Sequence, residues 1–184
     1  MAENIITPEF RVSYPQVLES RLNELNGKQE YGLTGLFPKG CDLSVLKKGA
    51  EAVLIAALGA DKSKWPKNIR SPFRDQAEKE KDGKLPAGHE AGAIFINFKA
   101  NQRPGLVDAS VQPIIDASDF YAGCWARAQV RPFYYDQKGN KGVSFGLQNV
   151  QKTREGDPLG NRVRAEDAFE AVAGAAEETG QSIF

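Results

Sequence analysis

The sequence is poor in the residues that build metal sites and disulfide frameworks. Its 184 residues include two cysteines and one histidine. Cys41 and Cys124 lie far apart with no Cys-x-x-Cys spacing, and His89 lacks a second histidine with which it could form a zinc motif. We therefore expect no metal or other cofactor, and we interpret both cysteines as reduced thiols of a core.

Long apolar runs are also absent. The longest, Ala52 to Leu58, is far shorter than the roughly 20 residues needed to span a membrane. The first residues, Met1 to Asn4, lack the basic and apolar regions of a secretion signal. The sequence therefore predicts a soluble, cytoplasmic protein with no membrane partner, and its length suits one well-buried core.

Motifs of the common enzyme classes are missing as well. There is no glycine-rich phosphate loop followed by Lys-Ser or Lys-Thr, and no Gly-x-Ser-x-Gly nucleophile elbow. Asp116 and Asp119, together with Asp108, could belong to a two-metal nuclease. Their setting after Pro113 is more typical of carboxylates that cap turns. We predict that the chain is not an enzyme and keep a metal-dependent nuclease as the alternative from another class.

The formal net charge is zero, but the charges are unevenly distributed. The 24 Lys and Arg residues balance 24 Asp and Glu residues. Residues 165–184 hold five carboxylates and no Lys or Arg, so residues 1–164 carry a net charge of +5. We divide the chain into a domain over 1–164 and an acidic C-terminal helix or tail over 165–184. Such a tail can compete with an anionic ligand for the basic domain.

Hydrophobic alternation and turn residues predict a mainly β protein with one or two helices. The expected strands span residues 9–14, 31–37, 94–99, 124–135 and 143–151. Asp42 is expected to cap a helix over 43–58, and a short helix is predicted over 164–176. Residues 17–26 fit a helical turn or a loop equally well. Five strands without βαβ alternation favour a small barrel or a Greek-key sheet.

The strand over residues 124–135 carries the main functional signal. Alternate residues of a strand point to opposite faces, and one face here is small and apolar, as suits a barrel interior. Its residues are Cys124, Ala126, Ala128 and Val130. The other face interleaves aromatic and polar or basic side chains: Trp125, Arg127, Gln129, Arg131, Phe133 and Tyr135. We expect Pro132 to disturb this alternation near the end of the strand.

An outward face of this composition suits single-stranded nucleic acid, because every base offers a ring for stacking and every nucleotide a phosphate. Phe95 and Lys99 share a face of the 94–99 strand and could extend the platform. Any one of these aromatic residues is more often a packing residue, or half of a cation–π pair. The combination favours a binding role.

A long segment over residues 61–92 adds further basic residues. It contains eight Lys and Arg residues, three prolines and little periodicity. We interpret it as a basic, partly mobile loop that closes on bound nucleic acid. Lys64, Trp65 and Arg74 are its candidate binding residues.

Four segments together resemble a family of phage single-stranded DNA-binding proteins, long catalogued as a domain of unknown function. They are FRVSYP (10–15), YGLTGLFPK (31–39), FYAGCWARA (120–128) and GVSFGLQNV (142–150). The resemblance covers about residues 10–164. It implies an OB-like five-stranded barrel, sequence-independent binding of single-stranded DNA, and a role in phage DNA replication, recombination or repair in the host cytoplasm.

Several alternatives and partners stay open. An RNA-binding or strand-annealing protein would use the same stacking face, and an interaction module would bind no nucleic acid. In the tail, Glu177, Glu178 and Phe184 are candidates for binding a replication protein. A homo-oligomer is compatible with the sequence.

Overall fold

The computed structural model describes residues 2–159 and 168–172, which form a mainly β structure with one α-helix. The elements are β1 Ile5–Ile6, β2 Phe10–Asn23, β3 Lys28–Leu36, α1 Ser44–Leu58, β4 Arg74–Asp75, β5 Ile94–Ala100, β6 Gly105–Val107, β7 Trp125–Gln137 and β8 Asn140–Arg154. Short 3-10 turns lie at Lys62–Lys64, Gln76–Lys79 and Ala117–Asp119.

Five of the strands close into a ring in the order β2, β3, β5, β8, β7 and back to β2. Every pairing in the ring is antiparallel except that of β5 with β8. β1 pairs with β7, β4 with β5, and β6 with β8. These pairings confirm the prediction of a mainly β protein whose five main strands form a ring that resembles an OB-like barrel.

The interior of the ring is filled by aromatic rings and small side chains. Phe10 packs against Phe37 and Phe98 at ring-centroid distances of 5.5 and 5.6 Å, and Phe98 packs against Phe145 at 6.3 Å. The predicted inner face of β7 is confirmed, with all four of its residues at most 1% exposed. α1 buries Leu46 and Ala50 against this core. The predicted cap differs by one residue: Leu43 is the N-cap and makes no side-chain capping bond, while Asp42, one residue earlier, accepts a hydrogen bond from the backbone N–H of Ser44 at 2.9 Å.

Both cysteines are free thiols. Cys124 is completely buried, and this burial is the main cause that raises the pKa of its thiol. Cys41 is half-buried against the core. A raised pKa leaves little nucleophilic thiolate near neutral pH.

β2 differs from the prediction because it continues through Pro15 to Asn23, so residues 17–23 are neither a helical turn nor a loop. The pairing with β3 shifts in register between Ser13 and Gln16 and again between Gln16 and Arg21. Pro15 therefore falls in a bulge, where its missing N–H interrupts no regular ladder.

Pro132 does not disturb β7. The ladder with β8 shifts at Trp125/Ala126 and at Gln129/Val130, and it runs without a shift from Val130 to Gln137. Pro132 is buried, whereas Arg131 and Phe133 are exposed, so the two faces stay distinct through Phe133.

Residues 61–92 contain only short elements, as expected, but part of this segment is held against the barrel. The backbone N–H of Arg70 donates to the carbonyl oxygen of Lys141 at 2.8 Å, and the N–H of Val143 donates back to Arg70 at 3.2 Å. The side chain of Gln76 is buried and donates to the carbonyl oxygens of Phe37 and Ile94. Residues 70–79 therefore form a wall of the barrel surface, unlike the mobile loop of the prediction.

Asp116 has the turn role predicted for it. Its carboxylate accepts hydrogen bonds from the backbone N–H and the hydroxyl of Ser118, and these bonds hold the pKa of Asp116 below its ordinary value. Across residues 2–159 and 168–172, no group of three or more His, Cys, Asp or Glu side chains is placed to hold a metal ion.

No helix within the described part of the chain combines the length and the apolar character needed to cross a membrane. Of the predicted helix over 164–176, the structure describes residues 168–172, and residues 169–172 are not helical. The rest of that helix, the predicted boundary at residue 164, and Glu177, Glu178 and Phe184 lie outside the described residues. The division into a domain and a tail stays a prediction.

Candidate nucleic-acid interface

An open groove of about 1260 Å³ runs over the outer face of the barrel, and we call it the main groove. Its floor comes from β5, β7 and β8, and its sides come from the β2–β3 hairpin, the wall at residues 70–78 and the turn after β5. Its charged and aromatic lining residues are Lys28, Glu30, Arg70, Phe73, Arg74, Glu78, Lys99, Arg103, Phe133 and Tyr135.

A row of three neighbouring residues on three strands crosses the floor of the main groove and ends at its border. Lys99 of β5 lies opposite Gly146 of β8, and Gly146 lies opposite Arg131 of β7. The residues on either side of Gly146, Phe145 and Leu147, are buried, so position 146 faces outward. Because Gly146 has no side chain, the row is a flat strip of backbone between two exposed cations.

Two aromatic rings extend this floor along β7. Phe133 is 45% exposed, and its ring centroid lies 6.5 Å from that of the half-buried Tyr135. Tyr135 lies across Gly142, where an added Cβ would come within 2.6 Å of the tyrosine hydroxyl oxygen. The glycine therefore lets the ring lie close to the backbone of β8. The result is an aromatic surface that can accept a flat ligand.

The electrostatic balance of the main groove is basic. Five Lys and Arg residues line it against two glutamates, Glu30 and Glu78. Arg74 forms an ion pair with Glu78 at 2.7 Å. Among the described residues, no carboxylate forms an ion pair with Lys28, Arg70, Lys99 or Arg103. These four cations are available to phosphate groups.

Comparison with known proteins identifies the family. The family described as "Enterobacter phage Enc34, ssDNA-binding protein" matches residues 3–180. This chain belongs to that family. The resemblance inferred from the four sequence segments is thereby confirmed.

Relatives and solved structures agree with this assignment. Protein p50 of Acyrthosiphon pisum secondary endosymbiont phage 1 is 31% identical over 179 residues, covering 91% of this chain and 93% of p50. The bacteriophage Enc34 single-stranded DNA-binding protein, solved in complex with ssDNA, matches with a TM-score of 0.65 at 21% identity over 85% of this chain and 89% of that one. The T7 single-stranded DNA-binding protein gp2.5 matches with a TM-score of 0.62 at 14% identity over 92% and 98%. At these identities the structural matches show a shared fold.

Within this family member, the structure brings four of the predicted site residues to the main groove: Arg74, Lys99, Phe133 and Tyr135. Arg131 borders the groove opposite Gly146, and its Nε donates to Oδ1 of Asn4 at 3.1 Å. Whether these residues bind nucleic acid stays a prediction.

Phe95 is placed differently from the prediction. The alternation of β5 does direct Phe95 to the same side as Asn97 and Lys99, but Phe95 is completely buried. β4 pairs with β5 at this point, and the cationic groups of Arg74 and Lys79 lie 5.3 and 5.1 Å from the centre of the Phe95 ring. Because the wall covers it, the ring has no free face for a base.

Trp125 and Arg127 lie on the outward face of β7 but outside the main groove. The guanidinium of Arg154 lies 4.2 Å from the centre of the Trp125 ring, and Arg154 forms an ion pair with Glu9 at 2.9 Å. Partial burial acts to raise the pKa of Glu9, but the hydrogen bonds from Arg154 and Thr153 hold it below its ordinary value. Arg127 donates to the side chain of Gln151 at 2.8 Å. One face of Trp125 is thus already occupied by a cation.

Lys64 and Trp65 follow α1 and do not line the main groove. The indole N–H of Trp65 donates to the carbonyl oxygen of Gly59 at 2.8 Å, and the Lys62 ammonium lies 5.9 Å from the centre of its ring. These contacts hold the indole of Trp65 against the C-terminal end of α1.

The predicted binding residues do not include four of the basic and aromatic side chains that line the groove: Lys28, Arg70, Phe73 and Arg103. The available signal for Arg70 and Phe73 was their place in the basic segment. The missing information was the pairing of Arg70 with Lys141 and Val143, which joins residues about 70 positions apart in sequence.

Proposed function

We propose that this chain binds single-stranded DNA without regard to sequence, along the main groove. The observation that carries the proposal is the meeting of two aromatic rings, Phe133 and Tyr135, with the Lys99–Gly146–Arg131 row. Bases stack on the rings while phosphates lie against the unpaired cations, which is how sequence-tolerant binding of single strands works.

The geometry favours a single strand over a duplex. In a duplex the faces of the bases are stacked on one another, so only the edges and the phosphates are accessible. The rings of Phe133 and Tyr135 can therefore stack on the bases of a single strand but not on those of an intact duplex. Stacking accepts every base because each has a π face, so the binding is independent of sequence.

Membership of the family and the structural similarity to an Enc34 protein solved with ssDNA support this proposal. We assign the chain to phage DNA replication, recombination or repair in the host cytoplasm, without enzymatic activity of its own. The acidic tail, with Glu177, Glu178 and Phe184, competes with DNA for the basic domain or binds a replication protein.

The proposal is tested by fluorescence anisotropy with labelled oligonucleotides of one length. Single-stranded DNA, duplex DNA and single-stranded RNA are compared at low and moderate salt. Binding to single-stranded DNA with a steep salt dependence is the expected result. Tighter binding to RNA than to DNA would support the RNA-binding alternative. Cleavage of the oligonucleotide in the presence of Mg²⁺ would support a nuclease, and the absence of binding at low salt would support an interaction module.

Lys99 and Arg131, the two cations of the row, should contribute to the salt dependence of DNA binding. Lys99→Ala and Arg131→Ala should each lower the slope of log K against log salt by about one unit if each side chain contacts one phosphate. Lys48→Ala is the matched control, because Lys48 is an exposed lysine on α1, an element that does not line the main groove. Equal slopes for all three variants and the wild type would remove this row from the binding site.

A further inference from the structure

Tyr14 lies in an unusual backbone conformation at the bulge of β2. Its φ angle is +47°, in the left-handed region that non-glycine residues rarely adopt. Its side chain is 61% exposed. Burial therefore does not explain why a tyrosine occupies this position. Strain of this kind concentrates at functional sites, where the surrounding structure holds a residue in place.

Tyr14 lines a second cavity of about 540 Å³, which we call the hairpin lobe. The inner edge of the β2–β3 hairpin forms this lobe, which includes Arg21 and Tyr31. It shares Asn23, Glu30, Asn97 and Lys99 with the main groove. The two are therefore neighbouring parts of one surface, and a strand that crosses Lys99 can continue into the lobe.

The hairpin lobe combines aromatic, amide and charged side chains, as the main groove does, but its charges balance: Arg21 and Lys99 stand against Glu24 and Glu30. Its volume lies in the range of roughly 300–1,000 Å³ that is usual for small-molecule sites, so a nucleotide fits. On its floor, the Thr34 hydroxyl donates to Oδ1 of Asn97 at 2.7 Å. This bond orients the Asn97 amide, whose NH₂ group has no acceptor among the described residues. Arg21 forms no ion pair with a described carboxylate.

We infer that the hairpin lobe is a second base-stacking subsite for the strand that occupies the main groove. A base stacks on the ring of Tyr14, Asn97 donates a hydrogen bond to it, and Arg21 faces a neighbouring phosphate. The inference rests on the proposed function and extends it: the bound strand spans two aromatic platforms, Phe133 with Tyr135 and Tyr14, on either side of Lys99.

The test compares two lengths of oligothymidylate, because OB-type sites span about 4–16 nucleotides. An oligonucleotide of about 4 nucleotides fills the main groove alone, and one of about 12 also reaches the lobe. Tyr14→Gly removes the ring and suits the positive φ. It should weaken binding of the longer strand about tenfold, the effect of one stack, leave the shorter strand unaffected, and keep the melting temperature at or above that of the wild type. Tyr14→Phe should bind both lengths as the wild type does.

The outcomes separate this inference from the proposed function. If Tyr14→Gly binds both lengths as tightly as the wild type while Phe133→Ala weakens both, the hairpin lobe is not a subsite and the main groove still is. Equal weakening of the two lengths by Tyr14→Gly would also overturn the inference, since the loss would then not come from a separate subsite. If the wild type binds neither length, the proposed function fails and the inference fails with it.

Discussion

Replacing Phe133 and Tyr135 together by alanine should reduce the affinity for single-stranded DNA more than any other change proposed here. One base–aromatic stack contributes about 1–3 kcal/mol, so each ring accounts for about a 5- to 150-fold change in Kd. Since the two centroids are only 6.5 Å apart, the losses need not be additive. Anisotropy titrations of the two single variants and the double variant give both the loss and the coupling between the rings.

Three controls make this result specific. Tyr135→Phe keeps the ring and should retain most of the affinity. The slope of log K against log salt should stay unchanged in the alanine variants, because no cation is removed. Trp125→Ala should cost less than Phe133→Ala, since Arg154 already covers one face of Trp125. A larger loss for Trp125→Ala would show that the strand follows β7 toward its beginning and not along the main groove.

Gly146→Leu should abolish most of the binding while leaving the barrel folded. A leucine at this position projects from the flat strip between Lys99 and Arg131 and would occupy the space through which we propose that the DNA strand passes. We expect a loss on the order of 1–3 kcal/mol or more, equivalent to removing at least one stacked base. The measurement is the Kd for a single-stranded oligonucleotide, with the melting temperature recorded for the same protein.

Gly146→Ala is the matched control. An added Cβ would lie 3.6 Å or more from every neighbour, which is ordinary van der Waals contact. Because glycine within a strand or helix is destabilising by roughly 0.5–1 kcal/mol relative to alanine, this variant should be slightly more stable than the wild type and should bind DNA only slightly more weakly. If Gly146→Leu retains wild-type affinity, the strip is not part of the binding path.

The parts of the fold that follow from the local repeat of apolar residues along the sequence could be predicted. The alternation of Cys124, Ala126, Ala128 and Val130 identified the inner face of β7, because residues two apart share a face whatever the rest of the chain does. The predicted helix over 43–58 likewise places Leu46 and Ala50, four residues apart, on one face, and both are buried. The same two-residue alternation identified Phe133 of β7 and Lys99 of β5 as outward-facing candidates for nucleic-acid binding.

The parts that depend on distant contacts could not be predicted. Alternation placed Phe95 on the outer face correctly, but only the pairing of β4 with β5 covers it with Arg74. The continuation of β2 past Pro15 depends on a bulge, and proline is normally a stop signal for a strand. For the site, the sequence favoured Trp125 over Phe133, because Pro132 was expected to disturb the end of the strand. In the structure Arg154 covers one face of Trp125, and Phe133 lines the main groove.

The order of the strands around the ring links DNA binding to the folding of the whole domain. The β2–β3 and β7–β8 hairpins join neighbouring parts of the chain, whereas β5 pairs with β8 across almost 50 residues and β2 pairs with β7 across more than 110. Closing such long loops has a larger entropic cost, so we expect the ring to close after the two hairpins have formed. The main groove takes residues from both hairpins and from β5, so it exists only in the closed ring. A strand that binds there stabilises the native state against the unfolded one by mass action.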